Sequence, residues 1–135
     1  MKSHNRYLFY LLFFLVTIPA VMIFFKTIEP KKLASLYAAT LFVCCSLLVF
    51  WGEFRVRSFK SYSLWLATLF FLIFSAPMLT LRLINYDRDF TEINFGPFSG
   101  PDFHKYSTYG FLFLLVAVVI DYFLTKRKIT GLTSK

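Results

Sequence analysis

The chain has little charge, few cysteines and few glycines. Asp, Glu, Lys and Arg make up 16% of its 135 residues, whereas soluble domains run near about one-quarter. Two cysteines and five glycines make it neither a disulfide scaffold nor a flexible low-complexity tract. The charges are also unevenly distributed. Four stretches, 8–25, 33–51, 63–81 and 106–124, contain only one charged residue, Asp121. That distribution excludes a soluble enzyme, a nucleic-acid-binding domain and a disordered tail. No G-x-S-x-G, H-E-x-x-H, P-loop or dinucleotide-binding pattern occurs.

What fills those stretches is apolar and aromatic: 58% of the chain is hydrophobic, 21% is aromatic, and 19 residues are Phe. At about 1.5 Å per residue each stretch makes a helix of roughly 28 Å, close to the hydrocarbon thickness of a bilayer. The expected fold is an all-α membrane protein. It is a single integral membrane domain over residues 1–135, an antiparallel four-helix bundle of transmembrane helices with a long third, outer loop at 82–105. The first stretch is longer than a signal-peptide core, and no A-x-A-like site follows it, so four spans are expected in the mature chain.

The net charge of +8 speaks to topology. Nine basic residues (Lys2, Arg6, Arg55, Arg57, Lys60, Lys126, Arg127, Lys128, Lys135) fall on the two tails and the second loop, against six on the first and third loops. By the positive-inside rule both termini are cytoplasmic. Tyr7, Tyr10, Trp51, Tyr62, Trp65 and Tyr122 then lie near the inner interface and Tyr37, Tyr106 and Tyr109 near the outer one, as expected of amphipathic rings at headgroup level. Spans of this length and basic inner loops point to a bacterial cytoplasmic (inner) membrane.

Lipid tails are as apolar as Leu, so membrane helices associate through close packing of small residues. The second stretch is richest in them. Ala34, Ser35, Ala38, Ala39 and Cys44 are its expected packing residues, which places this helix at the centre of the bundle. Adjacent Cys44 and Cys45 cannot form an unstrained bridge and are expected to be small core residues. Pro19 and Pro77 are expected to kink the first and third helices by freeing the carbonyls of Leu15 and Ile73, with Thr17 and Ser75 as candidates to satisfy them.

Candidates for chemistry are few. An ion-coupled carrier usually needs an ionisable residue near the bilayer centre, and none is present. Asp121, about one turn from the end of the fourth stretch, is expected to reach headgroups or to pair with Arg127 or Lys128. Ser99-Gly100-Pro101-Asp102 reads as a capping box, making Ser99 and Asp102 a helix cap for a fourth helix that begins near Gly100. His104, with Asp102 and Glu92, is the weak candidate for an acid/base or metal group on the outer side. No cofactor or metal site is expected.

By subtraction, the expected function is that of a non-enzymatic accessory or structural subunit of a larger membrane assembly. The partners are the lipid bilayer and another membrane protein or a second copy of this chain, with no nucleic acid. One alternative is a small homo-oligomeric transporter or channel, with a polar path along Thr17, Thr40, Ser46, Thr68 and Ser75. The other is an interfacial enzyme that acts on lipid or envelope substrates through the outer loop.

Overall fold

A bilayer offers no water to backbone amides, so an apolar stretch of this length must satisfy them within a helix. A computed structural model of the chain describes the backbone of residues 3–57 and 59–132 and the side chains of 5–57 and 59–127. Lys2, Lys135 and the side chains of His4 and Lys128 lie outside the described residues. The described chain is nearly all helical: α1 (Ser3–Thr27), α2 (Lys31–Arg55), α3 (Tyr62–Phe70), a π turn (Phe71–Ser75), α4 (Ala76–Ile84) and α5 (Gly100–Leu132). Four helical segments are long and apolar enough to cross a membrane: Asn5–Thr27, Lys31–Arg55, Tyr62–Ile84 and Gly100–Arg127. This is what an integral membrane protein requires.

The helices outrun the apolar stretches at most ends, because they continue until a turn or cap takes over the terminal backbone groups. At the end of α1, Thr27 Oγ1 donates to the Ile23 carbonyl (2.8 Å) and Lys31 Nζ to the Phe25 carbonyl (2.7 Å). The third connection accordingly shortens from the expected 82–105 to 85–99. It contains a 3-10 turn (Phe90–Glu92) and a two-residue-per-strand hairpin, β1 (Asn94–Phe95) with β2 (Phe98–Ser99), paired Asn94 to Ser99 and Phe95 to Phe98. Gly96 has φ +63° at the first central turn position, where a tight hairpin needs positive φ; Pro97, with φ locked negative, suits the second position of a II′ turn.

Phenylalanine fills the centre. Phe14 of α1, Phe42 of α2, Phe70 of α3 and Phe111 of α5 are all buried, and their ring centroids are 5.3 to 6.0 Å apart around Phe111 and Phe42. Such offset and edge contacts add about 0.5–1.5 kcal/mol each beyond area burial. The stack continues through Phe74 and Phe103 to Phe95 of the hairpin, whose ring lies parallel to that of Phe103 at 4.3 Å. α1 packs on α2 and α5, α5 also on α3, and α2 on both halves of the third span.

α2 is the most enclosed span, 44% buried against 22–28% for the others. Ala34, Ser35, Ala38 and Ala39 are all buried, but Cys44 is exposed. Cys44 shares a face with exposed Thr40, one turn earlier, and that stripe points away from the one carrying Phe42, Cys45, Ser46 and Val49. Only Cys45 is a core residue, 3.6 Å from Thr17 Oγ1.

Neither hydroxyl proposed to serve the prolines does so. Thr17 Oγ1 donates to the Phe13 carbonyl (3.0 Å) and Ser75 Oγ to the Phe70 carbonyl (3.4 Å), rather than to Leu15 or Ile73. A Ser or Thr χ1 that suits a helix points its hydroxyl at a carbonyl of the preceding turn. α1 runs through Pro19 as one helix. Ahead of Pro77 the ladder slips by one residue: the amide of Ala76 donates to the Phe71 carbonyl, five residues back, which is a π turn.

Candidate functional site

Charged side chains buried among apolar helices must find partners, and here they lie toward the two ends of the spans: Arg6, Glu53 and Asp121 at one, Arg82 at the other. At the first end, Glu53 near the end of α2 is fully buried. Arg6 of α1 holds it with two nitrogens: Nε lies 2.9 Å from Oε1 without aiming its N–H there, an ionic contact, and Nη2 donates to Oε2 at 3.2 Å. Tyr7 and Tyr10 add their hydroxyls, to Oε2 at 3.2 Å and to Oε1 at 3.4 Å. Arg6 and Tyr10, one helical turn apart, therefore converge on one carboxylate. Gly52 makes room for this: a Cβ there would overlap the Tyr10 hydroxyl.

Close by, Asp121 of α5 takes a role that its position in the sequence does not announce. Its Oδ2 accepts from the backbone amide and the hydroxyl of Ser63, both at 2.7 Å, and its Oδ1 from the Tyr62 amide at 3.2 Å. Ser61 Oγ accepts from the Leu64 amide at 3.2 Å. The first turn of α3 is thus capped twice, once locally and once by a carboxylate from another helix at the positive end of the helix dipole. Asp121 is a buried cap rather than a headgroup-facing residue, because this helix start lies at the depth of its side chain.

At the opposite end Arg82 is almost wholly buried, 1% exposed. It has no carboxylate within ion-pair distance among the described residues. Instead Nη2 donates to the Lys32 carbonyl (3.2 Å), Nη1 donates to the Arg88 carbonyl (3.4 Å), and the guanidinium lies 5.4 Å from the Phe90 ring centre. Its Nε has no hydrogen-bond partner among the described residues. Phe90 also meets His104, which is half-buried among the rings of Phe25, Phe42 and Phe90, with centroids 6.0 to 6.4 Å away.

The sequence candidates are not drawn together. Glu92 is exposed at the end of the 3-10 turn, and no hydrogen bond or ion pair among the described residues joins it or Asp102 to His104. Exposed Asp102 is engaged by Ser99, whose Oγ accepts from the Asp102 amide (3.3 Å) and donates to Asp102 Oδ2 (2.6 Å). The hydroxyl, rather than the Ser99 amide, receives the carboxylate, so this is a variant of the capping box. Among the described residues no group of three His, Cys, Asp or Glu side chains could hold a metal ion.

The five hydroxyls of the imagined polar path do not form one. Thr17, Thr40, Ser46, Thr68 and Ser75 each donate to a carbonyl of the preceding turn of their own span, at 2.9 to 3.4 Å. Thr17, Ser46 and Ser75 are buried inside the chain while Thr40 is exposed, so they do not share a face. No family model, curated protein or solved structure matches this chain.

Glu53 and Arg82 are what sequence reasoning missed. Both follow a long apolar run by a residue or two, where a charge ordinarily marks the span's end. A hint was available for Glu53: Gly52 beside it permits close helix approach, and Arg6 and Tyr10 share one face of the facing segment.

Proposed function

We propose that this chain is a non-enzymatic accessory or structural subunit of a larger membrane assembly, built as an antiparallel bundle of four transmembrane helices with both termini cytoplasmic in a bacterial inner membrane. The antiparallel arrangement is supported by pairings that run in opposite chain directions: Arg6 with Glu53 and Thr17 with Cys45 between the first two spans, and Asp121 with Tyr62 and Ser63 between the last and third.

The observation that carries the accessory role is that the two buried carboxylates are committed to holding helices together. Glu53 and Asp121 are each fully engaged, the path hydroxyls are turned inward on their own helices, and a Phe cluster closes the centre. What remains available is apolar helix surface, including Phe9, Val16 and Met22 on α1 and Phe113 and Val116 on α5. Membrane helices use such surface to pack against other helices or lipid.

Affinity purification of the tagged chain from its native membrane in mild detergent, with the intact mass of the complex, tests this. A stoichiometric second protein is expected. A complex containing only copies of this chain overturns the accessory reading in favour of a small homo-oligomeric transporter. His104→Ala is expected to leave the complex intact. Loss of an envelope-directed activity with the complex intact would instead favour the interfacial enzyme.

A further inference from the structure

We propose that the cleft between α1 and α2 at the Glu53 end is a binding site for one anionic phospholipid. The cleft encloses about 380 Å³ and is lined by two cations, Arg6 and Arg55, by the apolar side chains of Phe9, Leu48 and Trp51, which lie deeper along the same helices, and by Val56 next to Arg55. Arg6 begins one membrane span and Arg55 ends the next, so the cations stand at headgroup depth with the apolar walls beside them. That order matches a phosphodiester followed by the first methylenes of an acyl chain. Basic pockets between helices are suited to such headgroups, and guanidinium groups suit phosphate oxygens geometrically.

Two further observations favour an anionic occupant. Arg6 spends Nε and Nη2 on Glu53, but nothing among the described residues accepts from its Nη1, and Arg55 makes no ion pair among the described residues. Glu53 balances Arg6, and Asp121 is buried and engaged at the start of α3, so Arg55 is left as the cleft's uncompensated positive charge. The Arg6–Glu53 pair fixes one cation in place and leaves Arg55 as the group that closes over the phosphate. This inference concerns the chain itself and stands whichever partner the bundle has.

Trp51 reports on the site, since Trp65 is the only other tryptophan. A Trp65→Phe chain is placed in phosphatidylcholine nanodiscs, and Trp51 fluorescence is quenched with brominated phosphatidylglycerol or with brominated phosphatidylcholine. The anionic lipid is expected to quench at a several-fold lower mole fraction. Arg55→Gln should reduce that preference by roughly fivefold, the factor that about 1 kcal/mol per basic residue near a membrane surface gives. Lys60→Gln removes the same charge from the same connection at a residue that does not line the cleft and should leave the preference nearly unchanged, with helicity by circular dichroism checked for each variant. Equal quenching by the two lipids overturns the proposal. So does an equal loss in Arg55→Gln and Lys60→Gln, which would mean diffuse surface attraction. Relief of quenching by millimolar inorganic phosphate would identify a soluble-anion site and also overturn it.

Discussion

The two ends of the bundle bury an arginine in opposite ways. At one end Arg6 meets a carboxylate that two tyrosines also serve; at the other Arg82 meets two backbone carbonyls and an aromatic face. The first arrangement is a charge pair whose members depend on each other. The second is a cation spread over dipoles, with an exposed acid, Asp89, acting on it from beyond ion-pair distance, so its loss strands carbonyls but no buried charge. Buried pairs are costly to break singly and cheap to replace together, whereas neutral acceptors cost only their own desolvation.

The largest effect should therefore come from Arg6→Met, which leaves Glu53 buried without a counter-ion. A loss of about 3–5 kcal/mol in the unfolding free energy is expected from SDS titration of the protein in mixed micelles. Adding Glu53→Met to the same chain should recover most of it. If the double variant is no better than the single, the pair is not the unit argued here.

Arg82→Met in the same titration should cost less, about 1–3 kcal/mol, since it strands the carbonyls of Lys32 and Arg88 and no charge. A loss equal to that of Arg6→Met would erase the contrast between the ends and show that Arg82 depends on Asp89 as Arg6 does on Glu53.

The caps give a finer version of the same comparison. Asp121→Ala removes the distant cap of α3 and should lower stability by about 1–2 kcal/mol, while Asp121→Asn, which keeps an acceptor, should recover at least half of that. Faster amide exchange at Tyr62 and Ser63 than in the parent chain would locate the damage. At the other end Ser99→Ala removes a local, partly exposed cap, and a loss of about 0.5–1 kcal/mol is expected, the smallest of the series.

Which of these contacts could be read from the sequence follows from their range. The Ser99 and Asp102 cap joins residues three apart, and that spacing on a helix start has one geometric meaning. Asp121 caps a helix whose start is 59 residues away, and nothing in the residues around it announces that partner. The small-residue face of α2 was legible at Ala34, Ser35, Ala38 and Ala39 because these recur at helical spacing. Cys44 fell outside it because a list of small residues ignores which way each points. The loop was overestimated for a related reason: apolar runs mark the hydrocarbon core, while helices persist to their caps, at Asn85 on one side and Ser99 on the other.

Hydropathy settled the number of helices able to cross a membrane, because in hydrocarbon an unbonded amide costs several kcal/mol and a helix is the local remedy. Local spacing settled the cap at Ser99 and the small-residue stripe of α2. Only the tertiary structure decided that Phe14, Phe42, Phe70 and Phe111 meet, that Glu53 takes Arg6, and that Arg82 is held without an acid. Those contacts join residues far apart in the chain, and their partners are chosen by which helix faces come to lie together, a property that no single segment carries.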